Sequence, residues 1–184
     1  MYAGHFAAGL AIKASVPKAP TWAVLLGTGF LDVLFGIFVG LGLERVTMTP
    51  GISPGFTLDF IDWSHSLLMS LMWAALCGGI FWKRGALVAA AIGFAVFSHF
   101  LLDLPMHPAD LALWPYGQEH LGFGLWRRLP TGWWFVELLF ILAGCTYYVI
   151  RARKERTFGG RAGWACVVVL LLHVFNSPWL TTTK

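Results

Sequence analysis

The chain has 184 residues, of which 58% are hydrophobic, 16% aromatic and 12% charged, and its mean hydropathy is +0.70. Soluble domains carry about 25% charged residues, which disfavours a water-soluble globular domain, a disordered chain and a soluble nucleic-acid binder alike. The formal charge of +4 says less about partners than the positions of the basic residues do.

A bilayer core takes about 20 mostly apolar residues per helix. Residues 2–16 come first. They are apolar but short, lack the basic opening of a signal peptide, and carry Lys13 after the apolar part. This segment reads as a short or re-entrant helix, which a membrane tolerates only where protein covers it. Five longer stretches follow, at 20–43, 63–82, 85–104, 132–150 and 162–180. The expected fold is therefore all-α: one integral membrane domain over residues 1–184, a polytopic bundle of five transmembrane helices plus the short N-terminal helix. Loops 44–62 and 105–131 are long and rich in Gly, Pro, Trp and acids, with turns marked by Pro50-Gly51, Pro54-Gly55 and Leu129-Pro130. Cys77, Cys145 and Cys166 sit inside apolar runs with no CxxC spacing and read as buried small hydrophobes.

Orientation follows from the basic residues of the loops. Alternating the spans collects Lys13, Lys18, Lys83, Arg84, Arg151, Arg153, Lys154, Arg156 and Arg161 on one side, against Arg45, Arg127, Arg128 and Lys184 on the other. The first group is expected in the cytoplasm. Glu44, Asp59, Asp62, Asp110 and Glu119 then fall outside, and Glu155 inside.

An ionisable group in hydrocarbon costs at least about 2.5–3.5 kcal/mol on insertion scales for Asp, Lys or Arg. Asp32, His65, His99, Asp103, Glu137 and His173 lie within the spans, and His5 in the short first segment. At about 1.5 Å of rise per residue, Asp32 lies about 18 Å, His99 about 21 Å and Asp103 about 27 Å from the inner surface. His65 and Glu137 open spans from the outer face. Four helices thus bring acids and imidazoles to the outer half of the membrane, and His5 joins them if residues 2–16 enter from outside.

His99 and Asp103 are spaced i, i+4 and share a helix face. With His5, Asp32 and His65 they supply three imidazoles and two carboxylates, a set suited to zinc, manganese or iron, with no thiolate. Five ligands also allow two ions bridged by Asp103, about 3.5–4 Å apart, activating water and clamping a phosphoryl oxygen. His107, in the outer loop after Asp103, is a further ligand or an acid–base group, and Asp62 a second candidate to position water or protonate a leaving group. A lone transmembrane His ordinarily hydrogen-bonds between helices, and His173, with no acidic neighbour, falls in that class. Trp114, Trp126, Trp133 and Trp134 read as an interfacial belt, and Arg127-Arg128 as a headgroup anchor or phosphate contact. Glu44, Asp59, Glu119 and His120 read as loop hydrogen-bonding groups.

The ordered set Gly4-His5-Phe6, Phe30-Leu31-Asp32, Leu58-Asp59-Phe60, Ser64-His65-Ser66-Leu67-Leu68, Ser98-His99 with Asp103, and His107-Pro108 with Asp110 resembles bacterial inner-membrane proteins described as membrane-bound, metal-dependent hydrolases (the YdjM-like, LexA-associated family). The resemblance covers about residues 2 to 150 and implies hydrolysis at a metal site in the inner membrane, facing the periplasm. A more distant similarity is to the zinc-dependent phospholipase C and single-strand nuclease group, whose ligand order maps onto His5, Asp32, His65, His99 and Asp103. That group also uses a later HxxxE pair, which this chain lacks, so one or two zinc ions are expected rather than three.

The expected function is hydrolysis of a lipid or lipid-linked phosphoester by metal-activated water, with the bilayer and its lipids as partners and no nucleic acid. Three alternatives remain open at this level: a zinc amidase acting on an acyl-amide lipid, a small proton- or ion-coupled transporter, and a non-catalytic membrane regulator.

Overall fold

The computed structural model describes residues 2–51, 55–155 and 161–181. Pro54, Arg156 and Lys184, used above for a turn and for the charge balance, lie outside the described residues. The chain is mostly helical, as expected. Helix α1 (Tyr2–Ser15) is followed by α2 (Thr21–Thr28) and α3 (Phe30–Gly40), whose axes meet at a 53° bend. An antiparallel hairpin, β1 (Arg45–Met48) with β2 (Phe56–Phe60), comes next, then α4 (Asp62–His65) and α5 (Leu67–Ile80). The long α6 (Ala86–Met106) leads into a short ladder of β3 (Leu111–Ala112) and β4 (His120–Leu121). The chain continues through α7 (Leu125–Arg128), α8 (Gly132–Glu155), α9 (Arg161–Phe175) and α10 (Pro178–Thr181).

Five full-length spans are not what forms. Among the described residues, only Ala86–Met106 and Gly132–Lys154 are single helices long and apolar enough to cross a membrane, and the bent α2–α3 pair makes a third if taken as one span. Both long helices are compatible with membrane association. The apolar stretches are real, but local chemistry interrupts three of them. In 20–43 the helix bends at Gly29. In 63–82 it breaks at Ser66, whose hydroxyl accepts the Met69 N–H at 3.3 Å and starts α5 afresh. In 162–180 it ends before Ser177, and Pro178 opens a new turn. Helix α5, with 14 residues, spans about 21 Å at 1.5 Å per residue, short of a hydrocarbon core of about 30 Å.

Helix α1 is the buried centre of the bundle, packed against α2, α6, α8 and α9. Its inward residues are mostly small (Ala3, Gly4, Ala7, Gly9, Ala14), which lets neighbouring backbones approach. On α8, a Cβ at Gly144 would sit 3.0 Å from the Ala7 carbonyl oxygen. The expectation of a short helix sheathed by protein is therefore met. Its far end is closed by Lys13, whose ammonium donates to the carbonyls of Pro17 (2.7 Å) and Ala19 (2.8 Å). Basic side chains favour helix C-termini because unsatisfied carbonyls cluster there.

Helices α5 and α6 cross at small residues on both sides. A Cβ on Gly78 would lie 2.8 Å from Ala89 O, and one on Gly93 2.9 Å from Ala74 O. This is the small-xxx-small packing that brings helices together where lipid offers no hydrophobic drive. The cysteines behave as expected: all three are free, with Cys145 and Cys166 buried and Cys77 partly so.

Loop 44–62 holds more order than expected. Arg45-Val46-Thr47-Met48 pairs with Phe56-Thr57-Leu58-Asp59-Phe60, segments rich in β-branched and aromatic residues that suit strands. The loop 105–131 folds back on the end of α6 through Phe123 N–H to Leu104 O (2.9 Å) and Gly124 N–H to His107 O (2.6 Å). Gly122 is required at this closure, since its φ is +142° and a Cβ would run into the Pro108 carbonyl.

Candidate metal centre

Six side chains from four helices, the last at the cap of its helix, meet at one end of the bundle. His5 lies near the start of α1, Asp32 in the first turn of α3 and His65 at the end of α4. His99 and Asp103 lie on α6, and His107 at its C-terminal cap. The HxxxD spacing continues one turn further, so His99, Asp103 and His107 line one face of α6.

Asp103 is the hub. Its Oδ1 lies 3.1 Å from His5 Nε2, and its Oδ2 lies 3.1 Å from His99 Nε2, 3.7 Å from His107 Nε2 and 3.9 Å from His65 Nε2. Asp32 Oδ1 stands 3.5 Å from His99 Nε2 and 3.7 Å from His65 Nε2. The two imidazoles approach to 3.3 Å between their Nε2 atoms. His5 stacks on His99, with ring centroids 3.7 Å apart and planes 8° from parallel. His5, His99 and Asp103 form one group able to hold a metal ion, and Asp32, His65 and His99 another. All five expected ligands are brought together, and His107 joins them.

What stands behind the rings fixes their protonation. His99 Nδ1–H donates to the carbonyl of Thr28 at 2.7 Å, at the C-terminal end of α2, where helix carbonyls lack an intrahelical donor. The bend at Gly29 thus leaves a carbonyl available to orient a ligand. His107 Nδ1–H donates to Asp110 Oδ1 at 2.9 Å. His65 Nδ1–H donates to Ser64 Oγ at 2.6 Å, while the Ser64 hydroxyl donates to Glu44 Oε2 at 2.7 Å. These tautomers follow from the acceptors each ring faces. In the neutral imidazoles, three Nε2 lone pairs therefore point inward at two carboxylates, and His65, His99, Asp32 and Asp103 offer one another only acceptors. A cation among them, a metal ion or protons, offsets that repulsion.

Glu44, expected as a loop hydrogen-bonding group, is one, and its partner is Ser64 behind His65. Its carboxylate also accepts the Ser64 N–H at 2.7 Å. Burial pushes the Glu44 carboxyl above its usual range, and the hydrogen bonds from Ser64 oppose the shift. Twenty residues and a hairpin separate Glu44 from Ser64, so no local spacing announced the contact. His107 and Asp110 were legible, being three residues apart.

Asp62 takes a different position. Its Oδ2 accepts the Tyr116 N–H at 2.8 Å, holding Tyr116 at a φ of +61° that non-glycine residues seldom adopt. Burial pushes its carboxyl up, and the Tyr116 N–H opposes the shift. Asp59 stays in the hairpin, bonded to Thr47 and Thr57.

His173 has an acidic neighbour after all: its Nδ1 lies 3.7 Å from Glu137 Oε2, and both side chains are fully buried. Of Trp114, Trp126, Trp133 and Trp134, Trp126 lies at the cluster, its ring centroid 4.4 Å from that of His107.

The cluster opens on one side. The side chain of Asp32 is 48% exposed, whereas those of His65 and Asp103 are 5% and 3%. A cleft of about 90 Å³ adjoins it, with Asp32, His65 and His107 at its polar end and Phe35, Phe56, Leu58, Ile61 and Trp126 as apolar walls. Phe56 from the hairpin and Trp126 from α7 face each other edge to face at 6.4 Å, so two loops form the lips of the cleft. No protein-family model, curated protein or solved structure matches this chain.

Proposed function

We propose that this protein is a membrane-embedded, metal-dependent hydrolase acting on a lipid or lipid-linked phosphoester. The observation that carries this reading is the convergence of inward lone pairs and two carboxylates, with three of the rings locked from behind. One proton serves one pair of acceptors. An ion of coordination number four or more serves the whole set, and outer partners on ligand histidines are characteristic of such sites. Nitrogen and oxygen donors without thiolate suit zinc best, with manganese or iron as substitutes.

Asp32, His65, His99 and Asp103 hold the first ion. Asp103, whose two oxygens face different imidazoles, would with His5 also help to hold a second. A bound divalent ion supplies Lewis acidity and lowers the pKa of a water towards about 7. His107, oriented by Asp110 and lying at the cleft, protonates the leaving oxygen or positions the attacking water. The apolar walls take the acyl portion of the substrate and exclude bulk water, while exposed Asp32 marks the side of entry.

The order His5, Asp32, His65, His99, Asp103 is that of the ligands in the distantly similar zinc-dependent phospholipase C and nuclease group, and the same residues lie in the motifs by which the sequence resembles the membrane-bound hydrolases. In that setting the cleft faces the periplasm and receives substrate from the outer leaflet of the inner membrane. Metal analysis of the detergent-purified protein tests the proposal. One or two equivalents of transition metal are expected, and absence of stoichiometric metal under conditions that retain weakly bound ions defeats it. A lipid profile of cells carrying the Asp103→Asn protein then names the bond, since the uncut species accumulates.

A further inference from the structure

The fully buried Glu137 and His173 have no part in the chemistry above. Glu137, in the second turn of α8, sends one carboxylate oxygen to the N–H of Gly4 at 2.8 Å. The other lies 3.7 Å from His173 Nδ1, and among the described residues neither ring nitrogen of His173 has a hydrogen-bond partner. The imidazole is fixed instead by stacking on Trp134, with centroids 4.3 Å apart, and the Trp134 indole N–H donates to the His173 carbonyl at 3.2 Å.

Gly4 immediately precedes His5. Its N–H is one of the first-turn donors that a helix leaves without an intrahelical acceptor, and a carboxylate there also meets the positive end of the helix dipole. His5 differs from the other three imidazoles of the cluster, because its Nδ1 has no hydrogen-bond partner among the described residues. Its ring must be placed through its backbone and its stacking on His99. Two contacts from α8 set that backbone, the close approach of Gly144 to Ala7 and the bond from Glu137 to Gly4.

We propose that Glu137 is a positioning residue for the metal ligand His5: it holds the first turn of α1 at the depth where His5 Nε2 meets Asp103. This inference rests on the metal reading of the cluster. It assigns the buried carboxylate of α8 the role that Thr28, Ser64 and Asp110 fill for the other rings, exerted through backbone.

Zinc affinity of the full chain in detergent, measured by competition with a chromogenic chelator, tests it. Glu137→Leu should weaken zinc binding about ten- to hundredfold, the loss typical of groups behind metal ligands. Glu137→Gln keeps a carbonyl oxygen for the Gly4 N–H and should bind within about threefold of wild type, well inside that loss. In a His5→Ala background, Glu137→Leu should add nothing, which separates positioning from general damage to the fold. The inference is overturned if Glu137→Leu binds zinc like wild type, if Glu137→Gln loses as much as Glu137→Leu, or if the loss persists undiminished without His5. Wild-type protein that takes no zinc removes the metal reading itself and this inference with it. Wild-type protein that takes zinc beside an unaffected Glu137→Leu removes only the role of Glu137.

Discussion

Two groups of buried ionisable side chains occupy the same end of the bundle and solve the problem of burial in opposite ways. Around Asp103, rings and carboxylates crowd within 3.1–3.9 Å, each imidazole but His5 is anchored on its far side, and one flank opens past Asp32. Around Glu137 there is one acid and one imidazole 3.7 Å apart, both fully buried. Burial of a charge is expensive wherever it occurs. The difference is that the first group presents several inward acceptors to an accessible volume, whereas the second spends one Glu137 oxygen on a backbone N–H and keeps its other oxygen, like both His173 nitrogens, without a hydrogen-bond partner among the described residues, fully buried. Buried polarity alone, even without hydrogen-bond partners, therefore does not mark a reactive site; several imidazoles and carboxylates converging beside an opening do.

The largest way to break the comparison is to place a donor in the first group. In Asp103→Asn, an amide nitrogen faces lone pairs that all need a cation, and the charge that draws the cation is gone. Zinc binding should fall by more than about a hundredfold, beyond the 10–100-fold expected for outer groups, with hydrolysis lost in parallel. A variant that keeps stoichiometric zinc shows that the acceptors do not act together.

One step smaller is Ser64→Ala, which unhooks His65 from Glu44 without touching a ligand. The freed ring samples other orientations, so zinc affinity should drop about tenfold to a hundredfold. The variant also leaves part of the Glu44 carboxyl without donors in a buried place, which costs about 1–3 kcal/mol. Affinity by chelator competition and melting temperature together resolve the two effects. A loss of stability with unchanged affinity would mean that Ser64 serves only Glu44.

His173→Phe sharpens the contrast from the other side. Phe keeps the stacking surface for Trp134 and removes two ring nitrogens that have no partner among the described residues. Removing one member of a buried acid–imidazole pair leaves a Glu137 oxygen facing an apolar ring, which costs about 1–3 kcal/mol. The melting temperature should fall while zinc is retained, whereas His99→Phe should lose zinc. Loss of zinc in His173→Phe would make the two groups one system.

Much of the first group could be read from the chain before any coordinates. Helical rise grouped Asp32, His99 and Asp103 at one end of their stretches, and the alternation of the stretches added His65. The i, i+4 spacing of His99 and Asp103 fixed their shared face. The supports were opaque for a physical reason: Thr28 contributes a backbone carbonyl, which carries no side-chain signature, and Glu44 reaches Ser64 across a hairpin whose register the sequence does not specify. The same limit explains the span count. Hydropathy averages over a window and passes through Gly29, Ser66 and Ser177-Pro178, where single residues end one helix and start another. The Glu137–His173 contact joins α8 to α9, and nothing in either helix alone points to the other.

The smallest effect is expected at Asp62, and it discriminates between two roles assigned to neighbouring acids. If Asp62 serves only as the latch for Tyr116, Asn at this position still offers an oxygen to the Tyr116 N–H, and hydrolysis should change by less than about threefold, against the 10²–10⁴-fold expected for loss of a general acid or base. The pH dependence of stability adds an independent sign. Burial raises the carboxyl of Asp62 in the folded state above its unfolded value. Its contribution is thus fully present below the ordinary carboxylate range and is lost as pH rises through the raised folded value. Asp62→Asn cannot ionise, so its melting temperature should gain on that of wild type as pH climbs through that window and run parallel above it. A large fall in turnover with zinc still bound would move Asp62 from the latch to the chemistry, and would leave His107 to act as a ligand.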